Sequence, residues 1–328
     1  MRNPQTFEVG QANLIEHRAV KAWARLCPPS REPIRVTVLK PENKTSSVYR
    51  LEGVGPSGCA VIAKRKRIGS MALELTVYRE ILRHLTLRTL DCYGFIDDPD
   101  PAFGWLFLQD AGDRKFDFNN SEHRALAAEW FAGLHGGAAR HSASAKYLLP
   151  SRGLEHWRKI VLLACDIVRR SLVNPAFSAD DLRILRAILS RGEVILLHWD
   201  RAQELCQPMP ETVVHGDFCP KNARVGDSSN GLCLFPIDWD CAGWGLAAVD
   251  LSHTDINRYW SAARLIWPGL ELATVEKFAN FGRMLWAFEP ITGETEPLVS
   301  SWVGNVMRKM TFYHAEIEDA TRSAGWLR

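Results

Sequence analysis

The hydrophobic pattern is strand-rich over its first ~110 residues and mostly helical beyond residue 120, and this order restricts the folds open to the chain. Residues 34–40 (Ile-Arg-Val-Thr-Val-Leu-Lys) alternate apolar and polar side chains and are rich in β-branched residues, the pattern of a half-buried strand. Residues 48–54 read as a second strand and Gly55-Pro56-Ser57-Gly58 as a turn. Cys59-Ala60-Val61-Ile62-Ala63 reads as a third strand that ends at Lys64. Residues 104–108 add a short apolar strand, while 11–26 and 71–85 are helical by spacing. From Ser121 onward the spacing is helical almost throughout: 121–136, 154–173, 179–205, 258–289 in pieces, and 298–320. The exception is 212–237, where two short apolar runs flank a polar loop. A sheet with a helix, then a helical region with an embedded strand pair, predicts an α+β protein of two lobes rather than alternating βαβ units. The expected division is a sheet-rich 1–110 and a helical 111–328, joined at 109–112.

At 328 residues the chain can bury sizeable cores. Its 40 Lys+Arg against 38 Asp+Glu leave a net charge of +2, which gives no global field for a nucleic acid or an acidic membrane. The basic run Lys64-Arg65-Lys66-Arg67 has no aromatic residues interleaved and is a poor nucleic-acid footprint. Eight cysteines without a C-x-x-C pair read as free thiols of a reducing compartment. The N-terminal stretch lacks the apolar run of a signal peptide, and no window is apolar enough to span a membrane. The expectation is a cytoplasmic protein with neither nucleic acid nor membrane as partner.

The stretch that carries chemistry is Val213-Val214-His215-Gly216-Asp217-Phe218-Cys219-Pro220-Lys221-Asn222. Asp238 follows sixteen residues after Asn222, within Phe235-Pro236-Ile237-Asp238-Trp239-Asp240. Each begins with a strand-like apolar run that leaves polar residues just beyond it. Asp217, Asn222 and Asp238 are hard oxygen donors, few in number, which suits Mg²⁺ sharing its shell with phosphates and water. A carboxylate left over can take a proton from a hydroxyl nucleophile.

His-Gly-Asp-x-x-x-x-Asn with a following Ile-Asp-Trp-Asp resembles the aminoglycoside phosphotransferase and choline kinase superfamily. Ala242-Gly243-Trp244-Gly245 and Asp250-Leu251 continue the resemblance, which covers roughly residues 40–255. It implies a protein-kinase-like bilobal fold, a small sheet-rich N-lobe for nucleotide and a larger helical C-lobe for catalysis and substrate. By the resemblance, Asp217 is the catalytic base, Asn222 and Asp238 hold Mg²⁺, and His215 and Asp250 brace the loop. Asp240 is either a second metal contact or a loop support. The resemblance also implies ATP or GTP as donor.

Phosphoryl transfer is mainly positioning and charge neutralisation, so a lysine should meet the triphosphate. By resemblance this is Lys64; Lys66, two residues on, points to the same face and is the alternative. The lysine needs a carboxylate on the following helix. At 100° per residue, Glu74 falls with Val77, Tyr78, Ile81 and Leu85 on the apolar face, and Glu80 falls on the wetter one. A carboxylate on an inward face is costly unless paired, which selects Glu74. The place of a glycine-rich loop is taken by 44–50, where Ser46 and Ser47 are the candidate phosphate contacts. Residues 105–112 resemble the family's hinge, with backbone groups at Gln109 and Ala111 meeting the purine edge.

The acceptor is less defined. An aminoglycoside or other hydroxylated antibiotic leads, which would make the protein a resistance factor. A choline-like amino alcohol, an amino-sugar or a nucleoside follows. Ten of the 12 tryptophans lie beyond residue 120, and Glu316, Glu318 and Asp319 could attract an amine. The non-enzymatic alternative is a nucleotide-binding pseudokinase.

Overall fold

The structure, a computed structural model, describes residues 7–8, 14–28, 31–141, 145–228 and 231–324. Residues 11–13 of the expected first helix lie outside the described residues. The chain packs as two compact units, Met1–Lys115 with Ala223–Asp240, and Phe116–Asn222 with Cys241–Arg328.

The first unit is built on a six-stranded antiparallel sheet. Its strands are β1 (Phe7–Glu8), β2 (Arg35–Lys40), β3 (Ser46–Glu52), β4 (Val61–Arg67), β5 (Cys92–Asp97) and β6 (Phe103–Gln109), in the order β1-β2-β3-β4-β6-β5. Helix α1 (Arg18–Leu26) buries Ala19, Val20 and Trp23 against Val36, Val38, Leu51, Val61, Ala63 and Phe107. Strand β4 does not end at Lys64 as its apolar run suggests. It continues to Arg67, paired on one edge with β3 and on the other with β6. Ladder bonds on both edges hold the basic residues in the sheet. The pleat then sends Lys64 and Lys66 to one face and Arg65 to the other. Arg65 is accommodated by Asp98, at 2.9 and 2.8 Å, and by the Phe103 ring at 3.9 Å.

The helix expected over 71–85 starts earlier and changes pitch. Helix α2 (Ile68–Thr76) passes into a π-turn over Val77–Ile81 and a tight turn over Leu82–His84. Strand β5 carries no clean alternation in sequence and is set by its pairing with β6. The hairpin β9 (Ala223–Ser228) and β10 (Gly231–Pro236) packs with the first unit although it lies far along the chain. Val225 N–H donates to the Arg114 carbonyl at 2.9 Å, and Arg114 pairs with Asp227 at 3.2 Å.

The second unit is mostly helical. Its helices include α3 (Ser121–His141), α4 (Ala145–Leu148), α5 (Leu154–Ser171), α6 (Ala179–Leu197), α7 (Trp199–Cys206), α8 (Ile256–Ala263), α9 (Leu272–Phe288), α10 (Thr295–Val299) and α11 (Gly304–Ala324). Helix α6 opens with a capping box between Ser178 and Asp181. The expected run 179–205 breaks at His198, beyond which α7 (Trp199–Cys206) begins. Helix α9 buries Phe278, Phe281, Met284, Leu285 and Phe288 at the centre of the unit. A small sheet joins β7 (Ser151–Arg152), β11 (Gly243–Gly245) and β8 (Thr212–Val214), and β8 delivers the chain to His215. No helix among the described residues is long and apolar enough to cross a membrane.

Candidate active site

In the first unit, Lys64 Nζ donates to both carboxylate oxygens of Glu74, at 2.9 and 2.7 Å, and to Asp238 Oδ1 at 2.7 Å. Glu74 is fully buried, so its charge depends on that pairing. Glu80, the rival on the same helical stretch, is exposed. Burial alone would lower the Lys64 ammonium, but Glu74 and Asp238 outweigh it and hold the group above the ordinary lysine range. Burial would likewise raise Asp238, and Lys64 and Lys66 reverse this and hold its carboxyl well below the usual carboxylate range.

Lys66 joins the same cluster, 3.1 Å from Asp238 Oδ1 and in direct contact with Asp240 Oδ2. Asp238 has φ of 67°, a left-handed conformation rare for a non-glycine residue and typical of functional turns. Glu74, Asp238 and Asp240 each offer a carboxylate oxygen, all within 4.8 Å of one another. An oxygen-only donor set of this kind fits Mg²⁺.

Other first-unit residues have mixed surroundings. Ser46 pairs in register with Lys66, and its hydroxyl accepts from Lys40 Nζ at 2.7 Å. Ser47, in register with Arg65, is buried with a hydroxyl that has no hydrogen-bond partner. The Gln109 N–H donates to the Asp91 carbonyl at 2.8 Å, so this donor is engaged. Ala111 follows at the exit of β6, where Asp110 accepts from Gly112 N–H at 3.0 Å and ion-pairs with Arg50 at 2.7 Å.

In the second unit the loop after β8 is held from beneath by Asp250. This fully buried carboxylate accepts from His215 N–H at 2.7 Å and Gly216 N–H at 2.9 Å. His215 Nδ1 accepts from Asp217 N–H at 3.4 Å. Gly216 has φ of 80°, and a Cβ there would run into the Cys241 carbonyl, so the residue between His215 and Asp217 must be glycine.

The Asp217 carboxylate accepts from Asn222 Nδ2 at 2.8 Å and lies 3.2 Å from Lys221 Nζ. Both Asn222 amide bonds use its nitrogen, which leaves the amide oxygen as the atom able to meet a cation. Cys219 lies 3.7 Å from Asp217 Oδ1, and burial and that carboxylate push its thiol up to about 12. A thiol protonated at neutral pH is a filler, not a nucleophile.

Three contributors escaped the sequence reading. His135 on α3 contacts Asp250 at 3.3 Å through Nε2 and the Tyr259 hydroxyl at 3.0 Å through Nδ1. Tyr259 itself is fully buried. Leu134-His135-Gly136, a polar residue in an apolar helical stretch, was the available signal for His135. Glu289, at the start of the turn Glu289–Gly293, is the third. Burial pushes its carboxyl up to about 7, with Arg152 and Lys221 opposing and Asp217 adding to the rise.

The acidic residues near the chain end are not free to meet an amine. Arg283 engages Glu316 and Asp319, each at 2.6 Å, and Arg191 engages Glu318 at 2.6 Å.

The element order and the sheet-rich first region followed by a helical one define a protein-kinase-like α+β fold. Residues 38–277 match the profile of the phosphotransferase enzyme family, and the chain belongs to that family. No curated protein sequence matches the chain. Among solved structures, a spectinomycin phosphotransferase in complex with ADP and spectinomycin is similar with a TM-score of 0.60 at 11% identity, over 94% of this chain and 98% of that one. A choline kinase from Cryptosporidium parvum Iowa II gives 0.57 at 12%, over 89% and 93%. An aminoglycoside phosphotransferase in complex with GDP and kanamycin gives 0.59 at 12%, over 92% and 97%.

Proposed function

We propose that the protein is a Mg²⁺-dependent kinase that moves the γ-phosphoryl group of ATP or GTP to a hydroxyl of a small molecule. The acceptor class that leads is an aminoglycoside or other hydroxylated antibiotic. Choline-like amino alcohols, amino-sugars and nucleosides follow. The sheet-rich lobe, 1–110, would bind nucleotide, and 111–328 would carry catalysis and acceptor.

Each residue has a role in this reading. Asp217 accepts the hydroxyl proton as the acceptor oxygen bonds to the γ-phosphorus and the bridging bond to the nucleoside diphosphate breaks. Asn222, through its amide oxygen, and Asp238 hold the cation, and Asp240 supports them. Bound Mg²⁺ supplies charge neutralisation on the phosphates. Lys64, held by Glu74, aligns the triphosphate, and Ser46 meets it through hydroxyl or backbone groups, while Ser47, whose side chain shares the face of Arg65, is left with its backbone alone. Backbone groups near Gln109 and Ala111, other than the engaged Gln109 N–H, take the purine edge. His215 and Asp250 keep Asp217 in place.

The observation that supports this reading most is the Lys64 ammonium bonded to both Glu74 and Asp238. A buried lysine with a buried anchor and a partly exposed aspartate is suited to phosphate and metal. The test is transfer of labelled γ-phosphate from ATP and from GTP across a library of antibiotics, amino alcohols, amino-sugars and nucleosides, with and without EDTA. Labelled product that disappears with EDTA is expected. Nucleotide binding with no transfer to any acceptor would favour the pseudokinase.

A further inference from the structure

Two lysines, Lys64 and Lys66, share one face of β4, and only Lys64 has a role in the proposed transfer. The Lys64 and Lys66 side chains are both nearly buried, at 11% and 8% exposed. They face three carboxylates, so the cluster carries one formal negative charge more than its lysines neutralise. The two ammonium groups are not equivalent. Lys64 makes a two-pronged bond to Glu74, which has no exposure, and its departure would strand a buried carboxylate. Lys66 is 3.6 Å from Glu74 and has its close bonds to Asp238 and Asp240, whose side chains are 41% and 34% exposed. It can leave both without stranding a fully buried charge. One oxygen of Asp240, Oδ1, is buried and has no hydrogen-bond partner. That carboxylate therefore has an acceptor site which Lys66 does not satisfy.

We infer that Lys66 is a mobile counter-ion of Asp238 and Asp240 that passes to the phosphates when a nucleoside triphosphate arrives. This rests on the proposed nucleotide site. A divalent cation alone must compete with an ammonium already bonded to Asp238. Nucleotide draws that ammonium away, so cation and nucleotide favour each other's binding, and the coupling is reciprocal. A lysine suits the task because its compact charge sits on a flexible stem with rotatable donors.

The test measures binding, not turnover. Mn²⁺ is titrated into wild type, Lys66→Gln and Lys66→Arg, with and without ADP, by calorimetry. In wild type, ADP should tighten Mn²⁺ binding by about 10-fold or more. Lys66→Gln should bind Mn²⁺ alone about 10-fold more tightly than wild type and lose most of the ADP effect. Lys66→Arg, which keeps the charge, should retain weak binding of Mn²⁺ alone. Independent binding of ADP and Mn²⁺ to wild type would overturn the inference without any variant. So would a folded Lys66→Gln that binds Mn²⁺ no more tightly than wild type. Failure of wild type to bind ADP even with Mn²⁺ would instead bring down the nucleotide site, and this inference with it.

Discussion

The Asn222 side-chain amide donates to both the backbone carbonyl and a carboxylate oxygen of Asp217, at 2.9 and 2.8 Å. The five-residue spacing in sequence becomes a clamp that fixes one carboxylate oxygen. The proposed base can then be altered without disturbing the loop. Asp217→Asn should leave nucleotide affinity near wild type and lower kcat by about 10² to 10⁴-fold, the usual contribution of a positioned base. Single-turnover transfer together with ADP titration checks it, and near-normal turnover would remove Asp217 from its role.

Glu74 and Glu80 offer a paired comparison on one helical stretch. Glu74→Gln leaves the Lys64 charge without its buried partner and should cost about 3 kcal/mol of stability in urea unfolding. Glu80→Gln, at an exposed position, should stay within about 0.5 kcal/mol of wild type. Equal effects at the two positions would contradict the ion-pair assignment.

Gly216 tests backbone geometry rather than charge. Gly216→Ala places a Cβ at φ of 80° and against the Cys241 carbonyl. The strained conformation alone costs about 1–3 kcal/mol, and the loop must shift to relieve the contact. A lowered melting temperature with loss of transfer is expected. A variant as stable as wild type would show that the loop adopts another conformation in solution.

Glu289 supplies a pH dependence. Its carboxyl is raised from about 4.5 to about 7 by burial, against Arg152 and Lys221. A group raised in the fold contributes stability that is complete below about 4.5 and lost as pH rises through about 7. Glu289→Gln removes the titration, so the variant should gain on wild type in melting temperature between pH 4.5 and pH 8. A difference between the two proteins that stays constant across that range would exclude the assignment.

What could be read from residues alone was local. Alternation with period two marked β2, a short apolar run marked the start of β4, and helical spacing marked α3 and α5, because these patterns report how one element is buried. The helical wheel singled out Glu74 for the same reason, whereas the need for glycine at position 216 comes from its backbone angle and the nearby Cys241 carbonyl. The tertiary structure decided whatever depends on a partner distant in sequence. Strand β5 exists because β6 pairs with it. Strand β4 runs on through Arg65 and Lys66 because β3 and β6 flank it and Asp98, Asp238 and Asp240 receive its charges. His135 and Tyr259 support the loop through Asp250, more than a hundred residues from His135 along the chain. A buried ammonium or imidazole is stable only where the fold brings a counter-charge to it, and a sequence pattern records burial but not which distant side chain arrives.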